Sequence, residues 1–105
     1  MPKIKICGIT NYQDASWAVT LGADYLGFNF YKKSQRKISP ELAAEIISKL
    51  PAVFEPVGVF VDEEIENILK IVNKCKLKFV QLHGKESPEY CLTLNSKLST
   101  LNSKL

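Results

Sequence analysis

The sequence has little of what marks a secreted, membrane-bound or metal-dependent protein. It holds three cysteines, Cys7, Cys75 and Cys91, an odd number with no C-x-x-C spacing, which excludes a disulfide framework and a zinc knuckle and predicts reduced thiols. There is a single histidine, His83, too few for a histidine-built metal site. No apolar run approaches the roughly 18 residues that span a bilayer, and Met1-Pro2-Lys3 does not lead into the apolar segment of a signal peptide. A cytoplasmic protein without a membrane partner is expected. The net charge of +3 comes from scattered lysines, and the absence of a dense basic block argues against a nucleic-acid partner. Also missing is G-x-G-x-x-G, the glycine-rich loop of a dinucleotide site.

What is present is an ordinary globular composition, 46% hydrophobic and 24% charged over 105 residues, enough for one domain. Lys3 to Ile6 alternate polar and β-branched apolar residues, as a half-buried strand does, and Cys7 closes that strand. Thr10 and Gln13 fit a capping box, which predicts a helix over Asn11–Leu21, ended by Gly22. Tyr25–Phe30 reads as a second strand, followed by the basic loop Tyr31–Ile38. Ser39-Pro40 is an N-cap followed by proline at the first helical position, and Leu42, Ala43, Ile46, Ile47 and Leu50 supply that helix's apolar stripe. Val57–Val61 is a continuous apolar run, the pattern of a strand covered on both faces of a parallel sheet. Asp62 is the expected cap of the third helix, whose apolar face carries Ile65, Ile68, Leu69 and Val72. Lys78–Leu82 is a fourth strand, and Ser87-Pro88 starts a fourth helix.

Four strands alternating with four helices require right-handed crossovers and a parallel sheet, hence the α/β class. Without the glycine-rich loop of a doubly wound sheet, a (β/α) barrel of the TIM type is the better fit, although four units make only half of one. In either architecture ligands sit at the carboxyl ends of the strands, the side to which Cys7 belongs. The end of the chain repeats itself: Thr93–Leu98 recurs word for word as Thr100–Leu105. Two domains of unequal standing are therefore expected, a folded unit over 1–92 and a repeated tail over 93–105. The tail is read as non-native sequence from a tandem DNA repeat, and as disordered.

Taken singly, Cys7 reads as a small apolar side chain closing a strand, Arg36 as a solvated loop charge and His83 as a loop histidine. Their setting changes that. Lys5-Ile6-Cys7-Gly8-Ile9-Thr10, Gly22-Ala23-Asp24 before Leu26-Gly27-Phe28, Ser34-Gln35-Arg36-Lys37-Ile38-Ser39-Pro40, Gly58-Val59-Phe60-Val61 and Gln81-Leu82-His83-Gly84 together resemble the phosphoribosylanthranilate isomerases of tryptophan biosynthesis. The similarity runs from residue 3 to about residue 92 and corresponds to the first half of that family's barrel.

The resemblance implies an Amadori rearrangement of N-(5′-phosphoribosyl)anthranilate, an aldose–ketose isomerisation that uses no metal and no cofactor. It implies Cys7 as general base, which requires an ionised thiol and, from an unperturbed pKa of about 8.5, a nearby positive charge or helix N-terminus. Arg36 is implied to engage the anthranilate carboxylate, and Gln81 and His83 to contact the substrate. Phe28 and Phe30 are expected to line the barrel interior. The family's general acid follows strand five and its phosphate site strands seven and eight, so the chain is expected to be truncated and inactive alone. The alternative is a non-enzymatic half barrel that self-associates through its open strand edges and binds phosphate esters.

Overall fold

The computed structural model describes residues 2–100. Eight elements alternate along the chain: β1 (Lys5–Ile6), α1 (Tyr12–Thr20), β2 (Tyr25–Asn29), α2 (Pro40–Lys49), β3 (Glu55–Phe60), α3 (Ile65–Cys75), β4 (Phe79–Leu82) and α4 (Pro88–Thr100). All three strand pairings are parallel, and the spatial order β1-β2-β3-β4 is the sequence order. A doubly wound sheet reverses its order partway; this one does not, and winds in one direction as barrel strands do.

Side chains alternate across the sheet. Leu26, Phe28, Phe60 and Val80 face the helices and share one apolar cluster with Ala15 of α1, Ile46 of α2 and Ile68 of α3. Phe30 stacks on Phe60 with centroids 5.3 Å apart. Phe28 and Phe30 thus belong to the layer between sheet and helices, and do not line the inner face as the sequence suggested. The pleat assigns that inner face to Lys5, Tyr25, Gly27, Val57, Phe79 and Gln81, which are in register across the four strands.

The helix starts show where short-range patterns hold. Ser39 Oγ accepts the Leu42 N–H at 3.1 Å with Pro40 behind it, and Ser87 Oγ accepts the Tyr90 N–H at 3.1 Å. The first helix starts one residue later than expected. Asn11, and not Thr10, is the N-cap: its Oδ1 accepts the Asp14 N–H at 2.8 Å while its Nδ2 donates to Asp14 Oδ2 at 3.1 Å. Asparagine caps at least as well as threonine, and an aspartate in the first turn also suits the helix dipole. Asp62 does not cap α3, whose N-cap is Glu64 without a side-chain bond. The Asp62 carboxylate accepts the Lys85 N–H at 2.7 Å instead, from the loop after β4.

Two further expectations need correction. The first strand pairs only over Lys5–Ile6, and its isoleucines are exposed, since β1 has a neighbour on one side only among the described residues. The unit also does not end at residue 92. α4 continues to Thr100, and Leu94 and Leu98, both from the first copy of the repeat, are fully buried in the core cluster. Four residues apart, they lie on one helical face, while Lys97 reaches Glu66 of α3 at 3.0 Å. The second copy lies, from Leu101 onward, outside the described residues. No described helix is long and apolar enough to cross a membrane.

Candidate active site

Cys7 follows β1, Arg36 lies between β2 and α2, and His83 follows β4, so all three leave the same, carboxyl, end of a parallel sheet. At β1 the chain turns on Gly8, whose φ of +78° is open to glycine and costly for other residues. The turn lets the Gly8 and Ile9 N–H groups both donate to Gly27 O, each at 3.1 Å, which ties the Cys7 loop to β2. Gly27 permits this closeness. A Cβ there would sit 3.1 Å from Cys7 Sγ and 3.3 Å from Cys7 Cα.

Arg36 closes over the same turn. A Cβ built on Gly8 would fall 2.5 Å from Arg36 Cδ and 3.0 Å from its Nη1, so stem and guanidinium lie directly on the residue next to Cys7. The loop that carries Arg36 is held by Ser34 Oγ, which accepts the Arg36 N–H at 3.1 Å, and by the Ile38 N–H donating to Asn29 O at 2.9 Å. A cleft of about 770 Å³ opens beside them; Cys7, Thr10, Asp14, Gln35 and Arg36 line its polar side, and Ile6 and Trp17 part of its apolar one. Cys7 and Arg36 are both exposed there. An accessible thiol and a guanidinium lining one cleft can exchange a proton and bind an anion in the same space.

Gln81 and His83 stand at the opposite margin of the sheet. Gln81 lines a separate hollow of about 580 Å³ with Lys5, Tyr25, Val57 and Phe79, and its Oε1 accepts a hydrogen bond from Lys5 Nζ. Through that bond β4 is joined to β1, the strand that carries Cys7. His83 is exposed, and its N–H donates to Phe60 O at 2.9 Å. Cys7 and Arg36 thus share one cleft, whereas Gln81 meets the Cys7 strand only through Lys5.

Sequence reasoning passed over Lys5 and Gly27. The signals were there: Lys5 is two residues before Cys7 and so on the same face, and a glycine inside a strand marks a close approach. Cys75 is not a candidate for this chemistry. Burial, with a smaller contribution from Glu41 and against the pull of Lys74, pushes the Cys75 thiol up to about 11, and its Sγ donates to Pro40 O at 3.3 Å. Among the described residues no group of three His, Cys, Asp or Glu side chains is placed to hold a metal ion.

Comparison with known proteins agrees with the resemblance in the sequence. The family model for N-(5′-phosphoribosyl)anthranilate (PRA) isomerase matches residues 4–103. The N-(5′-phosphoribosyl)anthranilate isomerase of Thermotoga neapolitana is 50% identical over 103 residues, which are 98% of this chain and 50% of that protein. That of Geobacter sp. strain M21 is 54% identical over 91 residues, 87% of this chain and 45% of that protein. The chain therefore spans about half the length of the curated relatives it matches. Among solved structures, the Thermotoga maritima enzyme superposes with a TM-score of 0.89 at 49% identity, over 92% of this chain and 47% of that one. A crystal structure of a phosphoribosyl anthranilate isomerase with reduced 1-(o-carboxyphenylamino)-1-deoxyribulose 5-phosphate also gives a TM-score of 0.89, covering 50% of its chain. With four βα units superposing on half of these barrels, the chain belongs to the N-(5′-phosphoribosyl)anthranilate isomerase family.

Proposed function

We propose that the chain carries the base-side half of an isomerase site that rearranges N-(5′-phosphoribosyl)anthranilate in the cytoplasmic tryptophan pathway. The observation that supports this best is the packing of Arg36 onto Gly8, the residue next to Cys7, with Cys7 and Arg36 lining one open cleft. In the proposed reaction an acid protonates the furanose ring oxygen and the C1′–O bond breaks, leaving a protonated Schiff base. The Cys7 thiolate takes the C2′ proton. The C–H electron pair forms the C1′=C2′ double bond of an enolamine while the C1′=N pair returns to nitrogen, and protonation at C1′ with loss of the 2′-hydroxyl proton then gives the ketone. Atoms and electrons balance within the substrate, so the isomerisation calls for no redox partner.

Arg36 is assigned the anthranilate carboxylate, which its planar fork can bond through two N–H groups at once. Gln81 and His83 are assigned further substrate contacts. The acid and the phosphate site, which the resemblance places after later strands, have no counterpart among the described residues. Asp62 belongs to the loop after β3, where its Oδ1 accepts the Lys85 N–H. Lacking a positioned acid typically costs about 10²- to 10⁴-fold in rate, so the chain by itself should turn over slowly or not at all. The test is the loss of substrate fluorescence when the chain is mixed with the separately produced carboxyl-terminal half of the Thermotoga neapolitana relative. Turnover that needs both pieces and falls at least about 10²-fold with Cys7→Ala is expected. Turnover indifferent to that substitution would remove Cys7 as the base.

The sheet margins favour a second reading, self-association with another copy of the chain. Among the described residues β1 and β4 each have one strand neighbour, and Ile4, Trp17 and Leu21 are exposed beside β1. Such edges pair readily, and β1 of one copy beside β4 of another would continue the parallel order. Sedimentation at increasing concentration checks this: a discrete dimer is expected, and a chain that stays monomeric at high micromolar concentration would rule it out.

A further inference from the structure

The loops after β3 and β4 are bound to each other more closely than chain connection requires. The Glu86 carboxylate accepts two backbone N–H groups from different loops, Asp62 N–H at 2.7 Å through Oε2 and Gly84 N–H at 3.0 Å through Oε1. Asp62 answers by accepting the Lys85 N–H at 2.7 Å through Oδ1. Tyr90, one turn into α4, donates its hydroxyl to Glu63 O. Asp62 holds a left-handed backbone, φ 47°, unusual for a residue with a side chain, and its carboxylate fills the space where a Cβ on Gly84 would stand, 2.6 Å away. A strained residue and a glycine are thus both used to bring one carboxylate onto each loop.

His83 lies directly before this knot. Its own N–H is already fixed to Phe60 O at 2.9 Å, so its backbone is anchored to β3 on one side and, through Gly84 and Lys85, to the Asp62 loop on the other. We infer that Glu86 is a positioning residue: its bridge between the Asp62 and Gly84 amides holds the His83 backbone at the carboxyl end of β4. The inference rests on the substrate contact proposed for His83. Charged acceptors bonded to backbone N–H groups make strong hydrogen bonds, and a site residue held from both sides does not have to be ordered when ligand arrives.

The experiment uses the full chain, Glu86→Ala and Glu86→Gln. Because His83 is the single histidine, its imidazole signal in an NMR spectrum needs no assignment strategy. With Glu86→Ala, amide exchange at Asp62 and Gly84 should rise by at least about tenfold, and the His83 imidazole line should broaden or split. The Leu26 and Gly58 amides of the inner strands should keep their protection, which separates loosening of the knot from loss of the fold. Glu86→Gln retains one acceptor oxygen and should restore protection at one of the two amides and sharpen the His83 line again. Unchanged exchange at Asp62 and Gly84 in Glu86→Ala would overturn the inference. So would loosened loops with an unaltered His83 signal, because Glu86 would then brace the loops without positioning His83. Titrating reduced 1-(o-carboxyphenylamino)-1-deoxyribulose 5-phosphate into the wild-type chain judges the substrate role of His83 separately: no His83 response would retire that role while the exchange data still decide the bridge.

Discussion

The first and third strands are built from the same kind of residue and end in opposite situations. Ile4 and Ile6 beside and within β1 are 51% and 40% exposed, whereas Val57 and Phe60 in β3 are 5% and 1% exposed. Propensity does not distinguish them, since both are apolar strand formers. The neighbours do: β3 is flanked by β2 and β4, and β1 has β2 alone among the described residues. Burial in this sheet is therefore a property of ladder position, and the margin that stays open is the one that carries the candidate base. Energy is concentrated in the middle of the sheet, chemistry at its rim.

The sharpest way to break that contrast is to truncate one residue on each side of it. Phe60→Ala should cost about 3–5 kcal/mol in urea unfolding, while Ile6→Ala should cost less than about 1 kcal/mol; equal losses would mean that β1 is as well packed as β3. α4 offers the same contrast on a single helix. Leu98→Ala should cost about 2–5 kcal/mol because Leu98 is fully buried, whereas Leu92→Ala, at a position 72% exposed, should stay within about 0.5 kcal/mol. A silent Leu98→Ala would return the repeat to the status of a loose tail.

At the rim itself, Gly8→Ala has to adopt a φ of +78° and displace Arg36, for an expected cost of about 1–3 kcal/mol together with weaker binding of carboxylate ligands. The mildest contrast is between thiols. Iodoacetamide at pH 8 should modify Cys7 and leave Cys75, which about three pH units below its value of about 11 is roughly one-thousandth thiolate. The sign of the pH effect follows from the same shift. Cys75 keeps its proton in the folded chain above its ordinary value of 9.0, so the unfolded chain binds fewer protons and stability falls as pH rises from 9 to about 11. Thermal melts across that range should show the fall, and Cys75→Ala should reduce it, leaving above pH 10 the part due to the Tyr90 hydroxyl, which burial pushes up to about 12.

Much of this fold could be read from short patterns because those patterns are satisfied locally. Ser39 and Ser87 cap their helices within three residues of themselves, and the apolar run at Val57 follows from being covered on both faces. That Cys7 and Arg36 leave the same end of the sheet was also legible, through the motifs around them. What escaped depended on partners distant in the chain. Asp62 resembles a cap in one dimension, but Lys85 and Glu86, more than twenty residues away, determine what it does. Leu94 and Leu98 look like repeat filler until α3 is placed beside them. Asn11 is the exception, a local contest in which two adjacent residues could each cap and the one with an acidic partner in the first turn prevailed.

The central claim is that Cys7 and Arg36 form one recognition site at the carboxyl end of the sheet. Titrating reduced 1-(o-carboxyphenylamino)-1-deoxyribulose 5-phosphate into the nitrogen-15-labelled chain, while following every backbone amide, tests it most directly. The account predicts that saturable shifts cluster at Gly8, Gly27 and Arg36, with a smaller group at His83. Shifts confined to Asp24, Glu55 and Lys78, at the amino ends of the strands, would contradict it.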